Sequence, residues 1–369
     1  MKKPKRILIR SPNWIGDQVL AYPFFYYLRE MYPSAHIAVS CVTWVESVQF
    51  LHLVDEVIPL APLFVARMED SVLPMWVQKA RALERSAVRL RERGPWDLGI
   101  CLPHSFSSAW LMFRSNVTQR VGYRSDGRGF LLHQAIDGDP SHSGHRSETY
   151  VRLLLDHRLN KKPVTEFWGV PPAHDLDPGI PGVQQSFPVE KAWPNVEPLS
   201  PPSQPYWVLA PGSNADSRRW SIEKFAQLAQ KVSSQKGWTG VIVGGVAERP
   251  AAARLMEDPS LKLIDWTGRG SVATYWKVFR NAKFSVCNDS GLAHVAALCG
   301  SAVQIIWGAG DPKKTEPLGP GRVRILFSPV ECWPCESNVC DQLKEKNLEC
   351  LKNIQPEAVW EEIQSGIRI

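Results

Sequence analysis

The stretch Arg6-Ile7-Leu8-Ile9-Arg10-Ser11-Pro12-Asn13-Trp14-Ile15-Gly16-Asp17 decides how the rest of the chain is read. A short, unbroken apolar run between two arginines is the pattern of a strand buried on both faces of a parallel sheet. The loop after it leads into Asp17 to Met31, an amphipathic stretch that reads as a helix. The alternation recurs along the chain. Ile37 to Val42, Val57 to Leu60 and Leu98 to Leu102 read as further strands, and in the second half so do Trp207 to Ala210, Thr239 to Val243, Lys262 to Ile264, Phe284 to Cys287 and Val303 to Trp307. Helical patterns fall between them, as at Ile222 to Ser233 and Ser271 to Asn281, and Pro356 to Gly366 closes the chain. Such βα units predict an α/β protein of two Rossmann-like domains facing one another across a cleft.

Length and composition agree. The 369 residues exceed one compact core, and 44% hydrophobic with 22% charged residues exclude wholesale disorder and fibrous repeats. Ten of the 30 prolines fall between Pro171 and Pro205, with Gly179 and Gly182 among them. That composition builds no packed element, so it reads as a connector. The expected division is 1–170, an N-terminal domain; 171–205, the connector; 206–350, a C-terminal domain; and 351–369, a terminal helix. No run of 18 apolar residues is present, which excludes a transmembrane helix. The basic start, Met1 to Arg6, is followed by only Ile7-Leu8-Ile9, too short for a signal peptide, so a cytoplasmic protein is expected. The charge balance, 43 − 37 = +6, favours an anionic partner. The 15 tryptophans suit either aromatic-rich cores or surfaces that stack on rings and sugars.

In open α/β sheets, ligands bind at the carboxyl ends of strands. Asp17, after the first strand, admits two readings: a helix N-cap, or a carboxylate held as general base. After Trp207 to Ala210 come Pro211-Gly212-Ser213-Asn214-Ala215-Asp216-Ser217-Arg218-Arg219. Glycine, hydroxyl, amide and guanidinium leading into a helix suit a diphosphate, whereas the two arginines alone are compatible with solvated charges. Asn288-Asp289-Ser290-Gly291-Leu292-Ala293-His294 follows another strand and opens a helix, aiming backbone N–H groups outward. A lone helical histidine such as His294 is more often structural. Glu248, after Gly244-Gly245, fits either a ribose hydroxyl or the first turn of a helix. Asp175-Leu176-Asp177 and Asp137-Gly138-Asp139 spell D-x-D but lie in loop-like contexts and read as turns. Gly308-Ala309-Gly310 lacks the third glycine of a dinucleotide fingerprint, and no Walker lysine is present.

Taken together these segments resemble the lipopolysaccharide heptosyltransferases of glycosyltransferase family 9. Arg10 to Asp17 resembles that family's opening motif, its W-I-G-D form being more similar to the second heptosyltransferase type than to the first. Leu102-Pro103-His104-Ser105-Phe106-Ser107-Ser108-Ala109 and Val121-Gly122-Tyr123-Arg124 resemble its acceptor-domain motifs, and Asn288 to Ala297 its donor-domain motif. The resemblance runs from Arg6 to Val359, apart from the connector and the region of Met68 to Pro95. It implies the GT-B fold, with the C-terminal helix returning to the N-terminal domain. The implied activity is inverting, metal-independent transfer of L-glycero-D-manno-heptose from ADP-heptose to the lipopolysaccharide inner core, with the second heptose as the product. A related transferase using another nucleotide sugar or glycan acceptor is the alternative. Asp17 would then be the general base. Ser213, Asn214 and Arg218 would hold the diphosphate, Glu248 the adenosine ribose, and Asp289, Ser290, Gly291, Leu292 and His294 the donor pocket. Where the family often has lysine this chain has Arg218, which keeps the charge and changes the hydrogen-bond geometry. Asn13, Trp14, Arg120 and Arg124 would face the acceptor, a Kdo/heptose-lipid A, with Trp220 also bordering the cleft.

Two surface features add to this. Arg114, Arg120, Arg124, Arg128 and Arg146, together with a Lys79 to Arg93 helix carrying six basic and two acidic residues, suggest an acceptor or inner-membrane surface patch. Cys332, Cys335, Cys340 and Cys350 have spacing compatible with a structural Cys₄ zinc site or, less readily, an iron–sulfur cluster, but they read first as free or paired thiols. No cofactor is expected for catalysis. A basic nucleic-acid-binding protein is the competing class, and nothing in the two α/β halves calls for it, so no nucleic-acid partner is expected.

Overall fold

The computed structural model describes residues 3–61, 74–138, 144–155, 167–168 and 187–366. Residues 171–186 of the connector, Asp175-Leu176-Asp177 and Asp139 lie outside them. The chain forms two compact units, Met1–Val164 with Glu190–Trp193, and Thr165–Val189 with Pro194–Ile369.

In the first unit the elements are β1 (Arg6–Arg10), α1 (Ile15–Leu20), α2 (Tyr22–Met31), β2 (His36–Cys41), β3 (Glu56–Pro59), α3 (Met75–Glu92), β4 (Leu98–Cys101), α4 (Phe106–Arg114), β5 (Gln119–Tyr123), β6 (Gln134–Ile136) and α5 (Arg146–Arg152). The strands form one parallel sheet in the order β3-β2-β1-β4-β5-β6. Ile7, Leu8 and Ile9 of β1 are wholly buried, as expected for a central parallel strand covered on both faces. The helix expected over Asp17 to Met31 is two helices broken at Ala21. Pro23, in the first turn of α2, has no N–H to donate and its ring blocks a continuous helix. Ala87 and Leu90 of α3 and Leu111 and Met112 of α4 pack on Leu8, Ala38 and Ile58, so both helices cover the same face of the sheet.

The second unit repeats the plan. Its elements are β7 (Tyr206–Ala210), α6 (Ile222–Lys236), β8 (Thr239–Ile242), α7 (Arg249–Met256), β9 (Leu263–Asp265), α8 (Trp276–Asn281), β10 (Ser285–Asn288), α9 (Gly291–Leu298), β11 (Val303–Trp307), β12 (Val323–Phe327) and α10 (Pro356–Gly366). Sheet order is β12-β11-β10-β7-β8-β9, parallel throughout. In each unit, then, the third, second and first strands are followed by the fourth, fifth and sixth. The place where this order reverses lies between β1 and β4 in one unit and between β7 and β10 in the other, and there the loops after neighbouring strands diverge and leave room for a ligand.

α6 shows how the local sequence sets its ends. Ser221 Oγ accepts from the Lys224 amide, and Gly237 closes the helix at φ 69°, a left-handed conformation that glycine adopts without a Cβ penalty. Against α6 packs the terminal helix α10, with Val359, Trp360 and Ile363 in the core of the second unit. Trp360 Nε1 donates to Gln235 Oε1 (2.9 Å), and Lys231 pairs with Glu357 (2.9 Å). The apolar face of this helix is buried within the second unit. Tryptophan mostly serves the cores, with Trp96, Trp193, Trp207, Trp220 and Trp307 fully buried.

Candidate active site

The loop after β1 is built on buried polar groups. Ser11 Oγ donates to Gln18 Oε1 (2.5 Å), Gln18 Nε2 to Gln49 Oε1 (3.1 Å), and Gln49 Nε2 to Val45 O (3.0 Å). These three buried side chains tie the loop to α1 and to the turn after β2. Arg10 is also buried, and its guanidinium donates to the Ser11 carbonyl and to Asn13 Oδ1. Burial pulls its pKa down to about 10, which leaves it charged at neutral pH. Trp44 Nε1 donates to the Asn13 carbonyl (2.6 Å), and Trp14 stands 57% exposed beside it.

Asp17 is half-buried in the first turn of α1, with Trp14 at the N-cap position, its side chain making no cap hydrogen bond. The capping reading of Asp17 is therefore overturned. Tyr150 of α5 lies within electrostatic reach: burial, and then the negative charge of Asp17, hold its phenol well above the ordinary range. Neither the Ser11–Gln18–Gln49 network nor Tyr150 was foreseen, because single polar residues in apolar surroundings carry no spacing signal.

Among the arginines expected to form a surface patch, Arg128 is not a surface cation. It is buried and donates to the carbonyls of Pro103 (2.6 Å), Ser105 (3.0 Å) and Tyr123 (3.0 Å), which locks the loop after β4 to the end of β5. Arg114 pairs with Glu84 and Arg124 with Asp137, each at 2.7 Å. Arg120 donates to Leu131 O and Val117 O, both at 2.6 Å, and its guanidinium lies 5.4 Å from the Phe113 ring centre.

In the second unit the loops after β7 and β10 are stitched together. Asn288, at the end of β10, donates through Nδ2 to Pro211 O (2.7 Å) and accepts from the Trp220 amide (3.1 Å). Ser213 Oγ donates to Asp289 O (3.1 Å). Arg218 Nη1 lies 3.1 Å from Asp289 Oδ2, and burial raises the Asp289 carboxyl to about 6 although the Arg218 charge opposes the rise. Ser290 heads α9, its hydroxyl buried and unmatched by any hydrogen bond in the described residues. Gly291 and Leu292 are partly exposed in the first turn, and His294 is buried one turn on. Asn214 is exposed at the loop tip. Glu248 accepts from the Gly245 amide (2.7 Å), and a Cβ added at Gly212 would come within 2.6 Å of its side chain, so Glu248 leans over the loop that carries Ser213. Trp220, expected to border a cleft, is instead core, with Nε1 donating to Ile354 O (3.0 Å).

The segment with the cysteines supports this loop from beneath. Ser217 donates through its amide to Asn338 O (3.3 Å) and through Oγ to Ser337 O, while its own carbonyl accepts from Ala309 N (3.2 Å). Trp333 Nε1 donates to Gly308 O (2.8 Å). Gly308-Ala309-Gly310, set aside as a broken fingerprint, serves close packing: a Cβ at Gly308 would stand 2.1 Å from Ser217 O, and one at Gly310 2.7 Å from Asp289 Oδ2. The four cysteines are free thiols, Cys332 and Cys335 exposed and Cys340 and Cys350 half-buried. Burial, and then Cys335, Cys332 and Cys340, push the Cys350 thiol up. Among the described residues no group of three or more His, Cys, Asp or Glu side chains is arranged to hold a metal ion.

Two parallel six-stranded sheets with these motifs at their strand ends match a known pattern across residues 85–346, that of "Glycosyltransferase family 9 (heptosyltransferase)". The chain belongs to glycosyltransferase family 9. This family 9 chain is 24% identical to lipooligosaccharide heptosyltransferase 2 of Haemophilus ducreyi, over 87% of this chain and 88% of the relative. It is 27% identical to lipopolysaccharide heptosyltransferase 2 of Salmonella typhimurium, over 85% of each chain. The solved structure of Escherichia coli ADP-heptose lipopolysaccharide heptosyltransferase II superposes with a TM-score of 0.72 at 22% identity, covering 98% of each chain. The family 9 chain is thus an enzyme, a glycosyltransferase of the GT-B fold. No helix among its described residues is long and apolar enough to cross a membrane.

Proposed function

We propose that this family 9 enzyme transfers L-glycero-D-manno-heptose from ADP-heptose to the inner core of lipopolysaccharide, as the second heptose, with inversion and without a catalytic metal. The observation that carries the reading is the Arg218–Asp289 pair, a guanidinium held beside the first turn of α9. Both features favour a diphosphate whose negative charge grows as the glycosidic bond breaks. Ser213 and Asn214 extend the phosphate contacts, Glu248 takes the ribose hydroxyls, and Asp289, Ser290, Gly291, Leu292 and His294 line the sugar pocket.

On the acceptor side Asp17 is the general base. The acceptor oxygen bonds to the anomeric carbon from the face opposite the diphosphate, its proton passes to Asp17, and the electrons of the broken bond leave with ADP. Asn13, Trp14, Arg120 and Arg124 orient a Kdo/heptose-lipid A acceptor at the inner face of the cytoplasmic membrane, where the enzyme is peripheral. The named relatives support the sugar and the acceptor class.

The test is ADP release from ADP-heptose with a truncated lipopolysaccharide acceptor. Asp17→Ala is expected to fold and bind donor normally while turnover drops roughly 10²–10⁴-fold. EDTA is expected to leave the rate unchanged. Near-normal turnover in the variant removes Asp17 from its role, and a clear preference for UDP over ADP in competition binding overturns the donor.

A further inference from the structure

We infer that the outer faces of α3 and α4 form a docking surface for an anionic lipid bilayer. It extends the reading above, on which it rests only for why the enzyme visits a membrane. Along α4, Phe106, Trp110 and Phe113 recur at positions that share a helix face, and Phe130 of the loop after β5 continues the row. Their rings touch in sequence: Phe130 to Phe106 at 6.2 Å, Phe106 to Trp110 at 6.2 Å, Trp110 to Phe113 at 5.7 Å. Phe130 is 76% exposed, Phe113 41% and Phe106 38%. Four adjoining aromatic rings that reach solvent are costly on a free surface and suit the interfacial zone of a bilayer, where rings settle at the headgroup level.

Charge surrounds the row. The Arg120 guanidinium sits over Phe113. α3 packs beside α4 and is tied to it by the Glu84–Arg114 pair. Its exposed side carries Arg81 and Arg85 one turn apart, neither with an acidic partner among the described residues, and then Arg89 and Arg91. Trp76, 73% exposed, stands at the start of the same helix. Glu84 and Asp126, which accepts from the Phe106 amide, are the acidic groups beside the row, and the exposed Arg81 and Arg85 with the exposed aromatics are complementary to a surface that is both anionic and partly apolar.

The experiment is co-sedimentation of the full chain, without substrates, with phosphatidylethanolamine vesicles containing phosphatidylglycerol and with neutral phosphatidylcholine vesicles. The wild type is expected to bind the anionic vesicles, to release them at high salt, and to ignore the neutral ones. Phe113→Ser with Phe130→Ser, and separately Arg81→Glu with Arg85→Glu, are each expected to weaken binding about tenfold or more. Circular dichroism checks both folds, and the charge variant decides if the aromatic one unfolds. Binding unchanged in the charge variant, or no anionic-vesicle binding by the wild type, overturns the inference. So does self-association that the same substitutions abolish in the absence of vesicle binding, which would assign the row to a second copy of the chain. ADP release from a soluble, deacylated acceptor is expected to persist in both variants, and its absence from the wild type as well would count against the proposed reaction and not against the surface.

Discussion

Arg218 and Asp289 meet at 3.1 Å across two loops, with the carboxylate 4% exposed and the guanidinium 29% exposed. The pair joins the end of β7 to the end of β10. Its acidic member is costly to ionise where it sits, because burial outweighs the attraction of the arginine and raises its pKa to about 6.

That rise has a defined sign. A carboxyl whose pKa is higher in the folded protein contributes stability that is fully present below its unfolded value, near 4, and lost as pH climbs through about 6. The loss is on the order of 3 kcal/mol. Asp289→Asn removes this titration. The difference in unfolding free energy between the wild type and the variant is expected to change between about pH 4 and 6 and to be flat above 7. Urea titrations at a series of pH values check it, and a flat difference throughout would refute it.

On the proposed reading, replacing Arg218 by alanine leaves the diphosphate one charged donor short. ADP affinity is expected to fall roughly 10- to 100-fold, the range for a charge-assisted hydrogen bond. Calorimetric titration with ADP measures it. Arg218→Lys keeps the charge without the planar fork and should fall between the two.

Gly308 lies against the backbone of the Arg218 turn, and a methyl there would meet Ser217 O at 2.1 Å. Gly308→Ala is expected to cost about 1–3 kcal/mol of stability by overpacking and to weaken ADP binding without touching any ligand-facing side chain. Denaturant melts and ADP titration together check this. Unchanged affinity in a destabilised protein would mean that the turn adjusts.

In the first unit, Gln18→Leu removes the acceptor of Ser11 Oγ and the donor to Gln49 Oε1, and leaves the two side chains joined only by the 3.3 Å bond from Gln49 Nε2 to Ser11 Oγ. A loss of about 1–3 kcal/mol is expected, the cost of buried groups left unsatisfied. Turnover should drop with little change in ADP affinity, since the network ties together the loop that bears Asn13, α1 with Asp17, and the turn after β2, all in the first unit.

Much of this was legible in the residues. Ile7-Leu8-Ile9 reads correctly because a central parallel strand is apolar on both faces. β5, β6 and β12 escaped because strands at or near a sheet edge mix polar residues into the run, as Gln119-Arg120 and Arg324 do. Asp17, Ser213, Arg218 and Asp289 could each be placed on a strand-end loop. The Arg218–Asp289 pairing could not, since it joins residues far apart in the chain that only the reversal of strand order brings together. Arg128 misled for the opposite reason: a charge suggests solvent, and only the fold reveals three carbonyls waiting for it.

The hydrogen bond from Ser217 to Ser337 spans 120 residues. A ribosome that has made β7 and its loop has yet to synthesise what holds that loop from below. The sheet of the second unit can assemble from its own strands, but the turn bearing Arg218 acquires its last supports only when the segment from Trp333 to Asn338 has left the exit tunnel. On the proposed reading, the turn that grips the diphosphate therefore gains these supports only after the last strand, β12, has been made.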